Sequence, residues 1–183
     1  MKDLLIEALK KSTADYAEIR IELQQRTWLG YRGREMESAG SGSHCGGIVR
    51  ACFKGGWGLV RFDSLEGLGD QVREACHCAR LVGHEKTQLA ETIQVDQEKP
   101  AKMKRDFRGI SLDDKLKLIT RYNDIVLKSA PNVRSSYVSY SDSFRTVHFA
   151  SSRGVYFMEE RPLVACYVSA TAADGSLVQR ATE

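Results

Sequence analysis

The side chains best suited to bind metal or act as nucleophiles are few and scattered. The chain has four histidines, His44, His77, His84 and His148, and five cysteines, Cys45, Cys52, Cys76, Cys78 and Cys166. A helical zinc-peptidase site needs two histidines about one turn apart with a glutamate beside them. No two of these histidines stand four or five residues apart, and His84-Glu85 is followed by Lys86, Thr87, Gln88 and Leu89 with no second histidine. Cys76-His77-Cys78 has three ligand types in a row, but successive residues on a helix are turned by about 100°, so they diverge from any single ion. The expected roles are a core Cys76 and a surface His77. His44-Cys45 sits among glycines and lacks the two further ligands that a tetrahedral site requires. No catalytic residue and no metal ligand is assigned in this chain.

Other patterns suggest binding. Gly40, Gly42, Gly46 and Gly47 are dense enough for a phosphate cradle. No Gly-Lys-Ser/Thr follows them and no helix opens after them, so turns are the better reading. Lys99, Lys102, Lys104, Arg105 and Arg108 could meet phosphates, with Phe107 available to stack. Asp106 interrupts them, and charged residues are ordinary in an exposed linker, so nucleic acid is disfavoured as a partner. Tyr31 and Trp57, with Trp28, are either sheet core or a platform for a peptide. Arg50, between apolar neighbours, is either half of a surface salt bridge or an anchor for a carboxylate across a subunit boundary. Arg50, Trp57 and Tyr31 are therefore the candidate peptide or subunit contacts. A free sheet edge near them could take an extended peptide by strand addition.

These residues need a scaffold, and the composition supports one. The chain has 183 residues, 42% apolar and 28% charged, with a formal net charge of +3. That describes a globular domain or two small ones, with too little charge imbalance to imply a polyanionic partner. Apolar runs are too short for a membrane helix, and acids among the first apolar residues argue against a signal peptide. An odd cysteine count without regular spacing argues against a disulfide framework and fits a reducing cytoplasm.

Periodicity predicts an α+β fold with a helix-covered antiparallel sheet followed by a helix plus a β-meander. Residues 2–12 read as a helix with Leu4, Leu5, Ala8 and Leu9 on one side. From Tyr16 the period becomes two: Ala17, Ile19, Ile21 and Leu23 alternate with Glu18, Arg20, Glu22 and Gln24, a strand with one dry and one wet face. A second strand is expected over Trp28–Ser38, with a turn at Tyr31-Arg32-Gly33-Arg34. Ser41-Gly42-Ser43 reads as a loop, and Gly47–Phe53 and Trp57–Phe62 as strands around a Lys54-Gly55-Gly56 turn. Asp63 with Glu66 predicts a capped helix reaching Val82, carrying Leu65, Leu68, Val72, Ala75, Cys76 and Ala79 inward, with Gly83 ending it. Residues 84–110 read as a polar linker with a weak extended stretch at Ile93 and Val95. Ser111 caps a third helix with Leu112, Leu116, Ile119, Tyr122 and Val126 on its apolar face. Strands follow at Val133–Ser141, Phe144–Ala150, Val155–Glu159, Pro162–Ala172 and from Leu177, separated by polar turns. The expected organisation is residues 1–83, a linker at 84–110, and a second module at 111–183 that ends early in a sheet.

The order of these features resembles the TldD/PmbA family, the "modulator of DNA gyrase" metallopeptidases. Ala14-Asp15-Tyr16-Ala17-Glu18-Ile19-Arg20 and Arg32-Gly33-Arg34-Glu35-Met36-Glu37-Ser38 look like its first two strands. Gly46-Gly47-Ile48-Val49-Arg50 and Gly56-Trp57-Gly58 look like its glycine-rich hairpin. Ala150-Ser151-Ser152-Arg153-Gly154 resembles a turn of its middle region. Glu160-Arg161-Pro162, Asp174-Gly175 and Gln179-Arg180 lean toward the TldD branch.

The resemblance implies cytoplasmic peptidases that cleave unfolded or leader-bearing peptides and pair as TldD/PmbA-type homo- or heterodimers. It implies zinc for the full-length member, held by a His-Glu-x-x-x-His helix in a carboxy-terminal domain. That string is absent from this chain, so the resemblance covers an amino-terminal portion, supplying assembly and substrate access. The alternative is a stand-alone non-catalytic module that binds a peptide or a partner subunit.

Overall fold

In a computed structural model of the chain, residues 1–85 and 88–183 are described; Lys86 and Thr87, within the expected linker, lie outside the described residues. In chain order the elements are α1 (Lys2–Leu9), β1 (Tyr16–Arg32), β2 (Glu35–Phe53), β3 (Gly56–Phe62), α2 (Leu68–Val82), β4 (Val95–Lys99), a 3-10 turn at Phe107–Gly109, α3 (Leu112–Leu127), β5 (Val133–Ser151), β6 (Val155–Asp174) and β7 (Leu177–Thr182). The expected α+β class is what forms. The strands make one sheet in the order β3-β2-β1-β5-β6-β4, with β7 also on β6. Neighbours β2–β3 and β6–β7 are antiparallel, and β4 departs from the antiparallel expectation by running parallel to β6, Val95 opposite Val155.

The chain forms two compact units, each assembled from separate segments. The first unit holds residues 1–24, 44–101 and 145–161; the second holds 25–43, 102–144 and 162–183. In the first unit, one face of the sheet and both helices bury a single cluster. Ala17, Ile19, Ile21, Val49 and Ala51 from the strands meet Leu5, Ala8 and Leu9 of α1 and Leu68, Val72, Ala75, Cys76 and Ala79 of α2. The period-two pattern of β1 thus delivers its apolar face as read. Gly58 makes the helix contact possible, because a Cβ there would lie 2.0 Å from the Ala75 carbonyl oxygen.

In the second unit, Leu29, Val138 and Tyr140 pack with Ile119 of α3, with Tyr31, Leu116 and Val126 at the margin. The buried face of α3 is the expected one only in part: Leu116, Ile119 and Val126 pack inward as read. Lys115, Ile119 and Asn123 are its buried residues, whereas Leu112 and Tyr122 are exposed. Two polar networks explain the difference. Lys115 Nζ lies 2.6 Å from the Asp142 carboxylate, which also accepts the Tyr140 hydroxyl at 2.6 Å. Asn123 donates to the Gly33 carbonyl at 2.7 Å and accepts from Ser136 at 2.6 Å. Satisfied polar groups can be buried where an apolar stripe was expected.

Those contacts also correct the turn expected at Ser141-Asp142-Ser143, since β5 runs through it and Asp142 points into the unit as the partner of Lys115. Nor is Ser41-Gly42-Ser43 a loop. It lies inside β2, and Gly40 and Gly42 there give room to the Trp28 ring, which would stand 2.4 Å from a Cβ at position 40. Strand β6 likewise continues through Glu160-Arg161-Pro162, where a turn was expected. Pro162 comes after the β4 ladder ends at Glu159 and before the β7 ladder, where a missing N–H costs least.

Helix α2 starts later than the Asp63 cap would place it. Ser64 Oγ accepts from the Glu66 N–H, and Gly67, at φ +66°, turns the chain into the helix at Leu68. The helix ends at Val82 as expected, but Gly83 is extended there. Its role is clearance, because a Cβ would meet the Phe53 carbonyl oxygen at 2.1 Å. The turn at Gly33, φ +58°, is as read. Within 84–110, β4 realises the extended stretch sensed at Val95.

Candidate functional site

The strands of the first unit have a second face, and neither helix of the unit lies on it. Along β3, Gly58 and Val60 turn toward α2 and the core, while Trp57, Leu59 and Arg61 alternate outward. Register places Arg50 opposite Leu59 and Ile48 opposite Arg61 on the same outward face. The polar residues of β1, Glu18, Arg20 and Glu22, share it, with Glu18 buried among its neighbours there.

Two of the three candidate contact residues meet here. The Arg50 guanidinium lies 5.2 Å from the centre of the Trp57 ring and pairs with Glu18 at 2.5 Å. Arg50 is therefore a salt-bridged cation, the plainer of its two readings. Its partner is unusual, because the Glu18 side chain is only 9% exposed while Arg50 is 47% exposed. Tyr16 donates its hydroxyl to Glu18 at 2.5 Å and sets its ring edge-on to Trp57 at 6.1 Å. Burial, reinforced by the Glu18 carboxylate, pushes the Tyr16 phenol up to about 12, so it stays a donor. The Arg153 guanidinium lies over the Tyr16 ring, 5.5 Å from its centre. The result is a chain of cation, ring, ring and cation, with Trp57 44% exposed.

On the same face, Arg20, Glu22, His44, Ile48, Arg61 and Asp63 surround a cavity of about 640 Å³ whose floor includes Gly46 and Gly47. A Cβ on Gly47 would clash with the Phe62 ring at 2.3 Å, and one on Gly46 would lie 2.9 Å from the His44 ring. These glycines keep backbone bare, and no phosphate-cradle geometry accompanies them. Glu22 serves two arginines, Arg20 at 2.5 Å and Arg145 at 3.4 Å, and the Arg20 hydrogen bond holds its carboxyl below the usual range. The Nε of Arg145 is buried without a partner.

The other candidates lie apart from this face. Tyr31 belongs to the second unit, half-buried, its hydroxyl 3.0 Å from Thr120 Oγ1. Gly56 and Gly58 serve helix packing, and Gly154, φ +76°, serves the turn from β5 to β6. Sequence reasoning missed Tyr16, Glu18, Arg20, Glu22 and Arg153 as site residues. The alternation of β1 was the signal for the glutamates and Arg20, since it set them on the wet face.

Metal-binding groups do not gather. Cys76 is buried beside Ser12, and Cys78 faces Glu74. Among the described residues, no three of His, Cys, Asp and Glu stand close enough to hold an ion. The donor set present does not fit zinc.

Comparison with known proteins decides the family. The domain described as PmbA/TldA metallopeptidase domain 1 matches residues 17–79, and the PmbA/TldA metallopeptidase central domain matches residues 105–182. This chain belongs to the PmbA/TldD metallopeptidase family. Metalloprotease slr0863 of Synechocystis is 37% identical over 171 residues, a match covering 92% of this chain and 37% of that protein. Among solved structures, a modulator-of-DNA-gyrase homologue from Bacteroides thetaiotaomicron superposes with a TM-score of 0.79 at 16% identity, over 99% of this chain and 43% of its own. TldE from Thermococcus kodakarensis gives 0.74 at 16% identity, over 100% of this chain and 42% of its own. The chain thus spans about two fifths of the length of these PmbA/TldD relatives, and no helix among its described residues is long and apolar enough to cross a membrane.

Proposed function

We propose that this chain is the amino-terminal part of a TldD-like cytoplasmic metallopeptidase acting on unfolded or leader-bearing peptides. It supplies assembly and substrate-access surfaces, and a zinc-binding His-Glu-x-x-x-His helix elsewhere in the full-length protein performs hydrolysis. The observation that carries this reading is the match to two family domains in a chain whose described residues bring no three metal-binding side chains together. The domain division 1–83, 84–110 and 111–183 goes with it.

Arg50 and Trp57 on the outward face of the first unit are the surface for a peptide or a TldD/PmbA-type partner, as homo- or heterodimer. A flat exposed indole beside a guanidinium is the kind of anchor that interfaces favour. Tyr31 is kept as a lesser contact because its hydroxyl is engaged with Thr120. The leaning toward the TldD branch rests on Glu160-Arg161-Pro162, Asp174-Gly175 and Gln179-Arg180.

The test is zinc stoichiometry and peptidase activity. The 183-residue chain is expected to bind no zinc stoichiometrically and to leave an unfolded peptide intact. A chain extended through an in-frame His-Glu-x-x-x-His is expected to bind one zinc and to cleave in a chelator-sensitive way. Stoichiometric zinc or chelator-sensitive cleavage by the 183-residue chain would overturn the reading. A stop codon directly after codon 183 in the source gene would favour the stand-alone module instead.

A further inference from the structure

We propose that a cavity in the second unit receives an acidic side chain of an extended peptide laid along the outer edge of β2. The cavity measures about 400 Å³, and Arg26, Ser41, Ser43, Arg108, Lys115 and Asp142 are among its walls. That volume suits a side chain with its flanking backbone.

Charge selects the guest. Three cations face one carboxylate across these walls. The Asp142 carboxylate is taken twice over, by Lys115 and by Tyr140, both at 2.6 Å. Lys115 is more than nine-tenths buried; beside Asp142 it reaches Thr27 at 3.4 Å and the face of the Phe107 ring at 5.9 Å, so among the described residues an ammonium with three donors keeps capacity for one more acceptor. Arg26 is exposed, rests on the Trp28 ring at 4.6 Å, and has no ion pair among the described residues. Arg108 is bonded to Asp106, so it contributes field more than a free donor. A carboxylate entering here meets cations in a partly dry setting, where charge-assisted hydrogen bonds are strongest.

The edge selects the carrier. Strand β2 pairs with β1 on one side, and its ladder with β3 begins only at Gly47. Along Glu35–Ser43 no strand among the described residues lies on the outer side; Glu35 and Glu37 put charge at its start, but Ser38–Ser43 has neither the proline nor the charged side chain that usually blunts an edge. Its Ser, Ala and Gly side chains leave the backbone N–H and C=O groups open to an added strand. A peptide paired there passes the cavity at Ser41–Ser43. A nucleic acid fits less well, because the one indole at this edge, Trp28, already carries Arg26.

That the extended partner is a peptide rests on the proposed function; the preference for negative charge does not. The experiment is fluorescence anisotropy of the 183-residue chain with a labelled unstructured peptide carrying one central Glu. Its Gln isostere, its backbone N-methylated form and an oligothymidylate are the comparisons. The Glu peptide is expected to bind about tenfold tighter than the Gln peptide. Arg26→Ala, at an exposed position that folding tolerates, should remove most of that preference, and Arg26→Lys should retain part of it. Alternate N-methylation should abolish binding.

Equal binding of the Glu and Gln peptides, or an unchanged preference in Arg26→Ala, overturns this inference and leaves the substrate-access reading standing. Tighter binding of the oligothymidylate also overturns it. Failure of every peptide to bind overturns both.

Discussion

Lys115 and Asp142 form an ion pair with 7% and 5% of their side chains exposed, bridging α3 and β5 at 2.6 Å. The pair takes the place of an apolar contact in the first turn of α3, and Tyr140 completes it from β5. Two consequences can be measured.

Breaking this pair should be costly, because the surviving charge stays buried. Asp142→Ala is expected to lose about 3–5 kcal/mol of stability. The triple variant Lys115→Met, Asp142→Leu and Tyr140→Phe should recover most of it, since it removes both buried charges and the hydroxyl that Asp142 accepts. Urea denaturation of the wild type and both variants gives the comparison; equal losses in the two variants would contradict it.

Helix α2 sits close on β3 because positions 56 and 58 have no side chains. Gly58→Ala is expected to cost about 1–3 kcal/mol, through the collision with the Ala75 carbonyl. Gly109→Ala is the control, since a Cβ there meets nothing within 4 Å. Thermal denaturation should lower Tm in the first variant and leave it in place in the second.

His148 supplies a pH dependence. Burial holds its imidazole below the ordinary value of 6.5, helped by the amino-terminal charge and opposed by Glu98. The unfolded chain therefore binds the proton more readily than the folded one. Stability is full above pH 6.5 and falls as pH drops from there through the folded pKa. His148→Gln, which cannot titrate, should flatten that part of a stability profile taken over the acid range. A profile identical to wild type would show that other groups set the slope.

Trp57→Ala and Arg50→Ala address the outward face of the first unit. Trp57 is substantially exposed, so Trp57→Ala should unfold within about 1 kcal/mol of wild type, whereas Arg50→Ala leaves the buried Glu18 carboxylate without its cation and should cost more. If the face contacts peptide or a partner subunit, binding should weaken severalfold in Trp57→Ala by titration calorimetry. A stable Trp57→Ala variant with undiminished binding of both would remove this face from consideration.

Much of this protein is legible without coordinates. Period-two alternation from Tyr16 to Leu23 set the core face of β1, because residues two apart on a strand share a side. The 3.6-residue spacing of Leu68, Val72, Ala75, Cys76 and Ala79 set the buried stripe of α2 in the same way, and Gly33 marked a positive-φ turn. The divergence of Cys76-His77-Cys78 followed from helix geometry alone.

Tertiary structure decided the rest, and the reason is consistent. Ser41-Gly42-Ser43 and Ser141-Asp142-Ser143 have turn composition, yet both lie inside strands. In one the small residues clear space for Trp28, and in the other the aspartate answers Lys115. Local sequence shows which residues tolerate a turn. It does not show which distant side chain will occupy the space or cancel the charge. The burial of Lys115 and Asn123 on α3 has the same origin, because their partners on β5 and at Gly33 are brought to them only by the fold. The pairing of Arg50 with Glu18, between residues far apart in the chain, was equally out of reach, because only the packing of β2 against β1 brings them to one face.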